Sequence, residues 1–117
     1  MNTAMPLSDS LGKYLDLSAA QLKLTAGNVA NVDTPGYHTL GIDFEQEFAR
    51  AMLTGSSSTS PQPKASEVDG LIERPDGNNV SLDREGMEMA KAQLEFRTGV
   101  TLLKIQFAQM LSAIHAP

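Results

Sequence analysis

Apolar positions recur every three to four residues at both ends of the chain and lose that rhythm in between. Near the N-terminus, Leu11, Leu15, Ser18, Leu22, Thr25 and Val29 alternate at spacings of four and three, and Leu17, Ala20 and Leu24 widen the stripe. This period predicts an amphipathic helix over residues 8–31, with Ser8 or Ser10 as its cap. At the other end, Phe96, Val100, Leu103, Phe107, Met110 and Ile114 fall at spacings of 4, 3, 4, 3 and 4. Nothing from Ser81 to His115 breaks a helix, and Gly86 and Gly99 only weaken it. Ser81 is the predicted cap, with Asp83 and Glu85 near the positive end of the helix dipole. A helix over 80–115 exceeds the usual globular length and points to coiled-coil-like packing.

The stretch between the helices holds two different segments. "NVANVDTPGY", residues 28–37, ends the first helix with unusually dense turn chemistry. Asn31 is predicted to close the helix in the left-handed region, and Pro35-Gly36 suits the centre of a type II turn. Tyr37–Ile42 reads as extended. Asp43 and Gln46 have capping-box spacing ahead of a short helix over 43–53, which puts Phe44, Phe48 and Met52 on one face. Residues 54–79 are rich in Ser, Thr, Pro and Gly and contain no aromatic residue, which predicts a flexible loop. The resulting expectation is one all-α domain over 1–117. Its long terminal helices form a coiled-coil-like pair, residues 32–53 hold the turn, the extended segment and the short helix, and the middle is mobile.

Charge placement alters this picture. Arg84/Glu88 and Lys91/Glu95 are i, i+4 pairs that read as a solvated face. Residues 105–114 carry no formal charge, and residues 17–32 carry only Lys23. Ile105, Ala108 and Leu111 form a second apolar stripe beside the first. Two helices cannot bury all of these stripes against each other, and surplus apolar surface marks contact with other chains. The residues expected at such interfaces are Leu15, Leu22, Val29, Phe96, Val100, Leu103, Phe107, Met110 and Ile114. The alternative is a helical hairpin that satisfies itself with help from Phe44–Leu53.

Composition removes several function classes. The net charge is −5 with no Lys/Arg cluster, which disfavours nucleic acid as a partner. There is no cysteine, so thiolate metal sites and disulfides are excluded. No apolar run reaches the length of a signal-peptide core or a membrane span. His38 and His115 lack HxxxH or HExxH spacing, and no phosphate-cradling glycine loop occurs. "DGNNVSLDREGM", from Asp76, begins like a calcium loop but has Ser81 where Gly belongs and Met87 where Glu belongs. No catalytic, cofactor, metal or small-molecule site is expected, so the chain reads as a non-enzyme.

"NVANVDTPGY" at the end of an N-terminal amphipathic helix resembles the N-terminal signature of the bacterial flagellar axial proteins, the rod, hook and hook-associated subunits. Asn28, Asn31, Thr34, Pro35, Gly36 and Tyr37 carry the likeness. Ile42, Asp43 and Phe44 in "GIDFEQEF" narrow it to the proximal rod members, and "DGNNVSLDREGMEMA" and "FAQMLSAIH" resemble the same group. His38-Thr39-Leu40 stands where the family often has basic residues.

The resemblance implies a structural subunit that self-assembles with other rod proteins into the proximal rod in the periplasm and so contributes to motility. It implies export through the flagellar type III apparatus without a cleaved signal. The neighbours it implies are other copies, other rod proteins, the adaptor FliE and the export gate. Phe44 and Phe48 match the family's Phe-x-x-x-apolar export motif. The rival expectation is a helical adaptor or export-chaperone-like binding module.

Overall fold

The computed structural model describes residues 7–53 and 62–115. Three helices carry the fold: α1 (Leu7–Ala30), α2 (Phe44–Leu53) and α3 (Leu82–His115). The shape is elongated, 69 × 26 × 19 Å. The all-α expectation with long terminal helices holds. Helix α1 begins at Leu7, so Ser8 and Ser10 lie within its first turn rather than at a cap. Helix α2 is capped as expected, with the Gln46 amide donating to Asp43 Oδ1 at 3.2 Å. At the start of α3 the Arg84 amide donates to Ser81 Oγ at 3.3 Å.

The two long helices run antiparallel. Asn28 meets Glu85, Gln21 meets Glu88, and Gly99 faces Tyr14 and Leu15. A Cβ on Gly99 would stand 2.8 Å from Leu15 Cδ2 and 2.9 Å from Tyr14 Cδ1, so hydrogen at this position is what lets the helices close up. At equal rise per residue, Leu7 stands opposite about residue 106. Residues 107–115 therefore run past the described end of α1.

The seam between the helices is polar and small, and this departs from the sequence expectation. The buried line on α1 is Leu11, Ser18, Gln21, Thr25 and Asn28, with Leu17 beside it. Leu15, Leu22 and Val29 lie next to that line and are half-buried. On α3 the buried residues are Glu85, Ala92 and Gly99. The predicted stripe of α1 supplies Leu11, Ser18 and Thr25 to the seam, whereas that of α3 is rotated away from it: Phe96 and Phe107 are exposed, while Val100 and Leu103 are half-buried. The reason is distance. Small and hydrogen-bonding side chains at the centre allow close approach, which displaces the bulky apolar residues to the flanks.

Among the described residues the buried apolar side chains are Leu11, Leu17, Val80 and Ala92. Helix α2 adds a cluster on the side of α1. Tyr14 meets Phe44 and Phe48 edge-on, with ring centroids 5.4 and 5.7 Å away, and Phe44 and Phe48 stack at 6.1 Å. Met52 is exposed rather than sharing that cluster's protection.

The predicted loop over 54–79 falls partly outside the described residues, at 54–61. The remainder contains no helix. Strand β1 (Leu40–Gly41) pairs antiparallel with β2 (Ser66–Glu67), Leu40 opposite Glu67 and Gly41 opposite Ser66. The last residues before α3 are tied down: Asn78, Asn79 and Val80 are all buried.

Candidate functional site

The corner that follows α1 is built around one side chain. Asn28 is 1% exposed and uses its whole hydrogen-bonding capacity. Its Nδ2 donates to the Leu40 carbonyl at 2.8 Å and to Glu85 Oε1 at 2.5 Å. Its Oδ1 accepts from Tyr37 Oη at 3.0 Å and from the Leu40 amide at 3.1 Å. Asn28 and Tyr37 therefore bond within one chain, and they join α1, β1 and α3 at a single point.

The end of α1 differs from the expected left-handed cap. No residue other than glycine has positive φ among the described residues, so Asn31 does not adopt it. The helix instead tightens through i→i+3 bonds, Val32 to Val29 at 3.1 Å and Thr34 to Asn31 at 3.0 Å. Side chains add further bonds to the carbonyls at this end. Asn78 Nδ2 donates to the carbonyls of Asn31 and Thr34, both at 2.8 Å. Asn31 Nδ2 donates to Gly27 O at 2.8 Å, and Arg74 Nη2 donates to Val32 O. A cap supplied from forty residues away makes a left-handed residue unnecessary.

The turn at Thr34–Tyr37 is as expected. The Tyr37 amide donates to Thr34 O at 3.2 Å, and Gly36 has φ +75°, where a side chain would be strained. Gly77 (φ +85°) packs against it, with its Cβ position 3.2 Å from Gly36 Cα. Thr39, fully buried, donates its amide to Asn79 Oδ1 at 2.6 Å. Ile42 is half-buried beside β1, and Thr34, Pro35 and Asp43 are exposed.

Sequence reasoning missed four partners of this corner: Glu85, Asn78, Asn79 and Arg74. Glu85 read as an acid near the positive end of the helix dipole; it is also fully buried, with Arg84 Nη1 donating to its Oε2 at 2.5 Å. The expected Arg84/Glu88 pair is replaced: Glu88 Oε2 accepts from Gln21 Nε2 at 2.8 Å. The available signal was the doubled asparagine at 78–79 facing the Asn-rich stretch at 28–31.

Glu95 lies beside this seam. Its Oε2 is buried without a partner among the described residues. Burial raises its pKa above the usual carboxylate range; Lys91 opposes the rise and Glu88 adds to it. Burial and the nearby Glu95 also raise the Tyr14 phenol. A raised folded pKa means the native state holds the proton more tightly than the unfolded chain does. Stability from this group is therefore complete below the unfolded value and is lost as pH rises through the folded one. Glu95→Gln is expected to stabilise the chain at neutral pH and to flatten that acid-side slope. Urea unfolding at a series of pH values checks this, and an unchanged slope would contradict it.

The second feature is a surface. Among the described residues fourteen large apolar side chains are exposed, ten of them on α3. Phe107, Met110 and Ile114 are 61%, 54% and 71% exposed. Among the described residues no group of His, Asp and Glu converges to hold a metal ion. His38 places Nδ1 3.6 Å from Glu67 and Nε2 3.9 Å from Glu73, so its two carboxylates flank opposite ring nitrogens. The described residues thus offer a hydrogen-bonded polar joint and a long apolar face.

No protein-family model matches the chain. Curated relatives do. A flagellar basal body rod protein FlgB from Salmonella typhimurium is 33% identical over 119 residues, covering 86% of each chain. Its counterpart from Cereibacter sphaeroides is 32% identical over 120 residues, covering 91% of this chain and 94% of the relative. The Escherichia coli protein is 30% identical over 121 residues, covering 87% and 88%.

Proposed function

The chain belongs to the FlgB family of flagellar basal body rod proteins, and from that premise we propose how its parts serve the rod. It is a structural component of the basal body rod that assembles with other rod components in flagellum-dependent motility. No helix among the described residues is long and apolar enough to cross a membrane.

The observation that carries the reading is the inverted distribution of polarity. The seam within the chain is held by buried polar side chains, while Phe96, Leu102, Ile105, Phe107, Met110, Leu111 and Ile114 face outward. Apolar surface on this scale is covered in the working state. The assembly face we assign is therefore α3 from Phe96 to Ile114, continued along α1 by the half-buried Leu15, Leu22 and Val29. The Asn28 corner holds α1, β1 and α3 at a fixed angle, so neighbours meet a preset surface.

The chain acts by packing and carries no catalytic activity. Its finer neighbours are the adaptor FliE and the export gate at the base of the rod. Phe44 and Phe48 serve export before they serve packing: the motif is read in the unfolded chain and then closes on Tyr14 once the subunit folds.

The test is complementation of a flagellated bacterium lacking its own FlgB. The chain is expected to restore basal bodies and swimming, and Phe44→Ala with Phe48→Ala to lower the exported amount. Absence of rods with the protein exported would defeat the subunit reading. Unchanged export with failed assembly would leave the two phenylalanines as packing residues alone.

A further inference from the structure

Resting on the rod-subunit reading, we infer that the C-terminal half of α3 seats on the 66–76 loop of a second copy of this chain, joining copies head to tail. The chain separates its charge along its length. Residues 31–88 hold eleven acids against four bases, whereas residues 89–117 hold three bases against one acid.

On α3, Arg97, Lys104 and Leu111 recur every seven residues in one column, and Val100, Phe107 and Ile114 form the adjacent column. Arg97 and Lys104 are exposed, and neither joins an ion pair among the described residues. The tail thus presents an apolar strip edged by two free cations.

The opposite end presents the complement. Ile72 is 90% exposed. The same loop carries the exposed acids Glu67, Asp69 and Glu73, while Asp76 lies 3.9 Å from Arg74. Glu67 and Glu73 keep 67% and 57% of their side-chain surface despite the long contacts to His38. Asp69 joins no ion pair among the described residues. An exposed apolar side chain in an acidic loop complements an apolar strip edged by cations, in polarity and in sign.

The complement cannot close within one chain. The loop is bonded to the C-terminal end of α1 through Arg74 and Asn78, and the tail of α3 leaves past the other end of α1. The surfaces are two different patches on one subunit, so each copy that docks leaves one of each free. Such a contact is heterologous and extends rather than closes.

Charge reversal tests this. Arg97→Glu with Lys104→Glu reverses the tail, and Glu67→Lys with Glu73→Lys reverses the loop. All four positions are exposed, and unchanged circular dichroism confirms that each variant folds. In low-salt sedimentation each variant alone is expected to associate at least ~10-fold more weakly than the native chain. An equimolar mixture of the two should recover association, since every contact then has opposite signs again.

Because the chain has no cysteine, Ile72→Cys in one copy and Leu111→Cys in another should form an intermolecular disulfide. Native-like association by either reversed variant, no recovery on mixing, no such disulfide, or a native chain that stays monomeric throughout would each overturn the inference. The rod reading stands or falls separately on complementation. A chain that builds rods while its reversed variants associate normally loses only the head-to-tail contact. A chain that joins head to tail but builds no rods loses the rod reading instead.

Discussion

Phe107→Asp leaves the subunit folded and removes its ability to assemble. Phe107 is 61% exposed in the single chain, and nothing from Ile105 to Ile114 carries a formal charge. In a monomer the aspartate is solvated and costs little. In an assembly that covers this face it becomes a buried charge without a partner, at about 3–5 kcal/mol. At ~1.4 kcal/mol per tenfold, association weakens by roughly 100- to 4000-fold. Circular dichroism should match the native chain while sedimentation shows no large species. Phe107→Leu, which keeps the face apolar, should retain assembly. Normal rods built from the aspartate variant would show that this face is not covered.

Asn28→Asp acts in the opposite way, by unfolding the corner before any assembly. The side chains are nearly isosteric, so the effect is chemical. The substitution replaces a two-proton donor by an acceptor that faces the Leu40 carbonyl and the buried Glu85 carboxylate, groups now 2.8 and 2.5 Å from Nδ2. Two lost donors and an uncompensated buried charge amount to about 3–5 kcal/mol, a large part of the stability of a domain this small. Tyr37→Phe removes one bond from a half-buried hydroxyl and should cost about 1 kcal/mol. Thermal unfolding separates the two, and an Asn28→Asp variant as stable as the native chain would refute the role assigned to the corner.

The helices were legible in the sequence because period and caps are local signals. Ser81, Asp43 and the Thr34–Tyr37 turn act where their spacing placed them. The packing was less legible. Apolar periodicity points to the faces that are buried somewhere, and it does not say whether the burial lies within the chain or between chains. In this protein the regular stripe of α3 is the outer one, and its inner seam is marked by Gly99 and Ala92, small residues outside that stripe, which face Ser18 and Thr25 of the predicted α1 stripe.

The corner was half legible. Asn28 and Tyr37 were singled out by their pattern. Their partner Glu85 looked like an ordinary acid in a first helical turn, and Asn78 like part of a turn, because a pairing across some fifty residues leaves no local trace. Asn31 shows the same limit: the left-handed cap that suits it locally is displaced by Asn78 and Arg74 reaching in from the loop.

The central claim is that the outward face of α3 is the covered face in the working rod. Its most direct test uses the absence of native cysteine. With Ile114→Cys as the sole thiol, maleimide labelling is measured on the free subunit and on isolated basal bodies. Rapid labelling of the free chain, with labelling at least ~10-fold slower in the basal body, is the predicted result. Equal rates in both, in basal bodies shown to contain the subunit, would contradict the account.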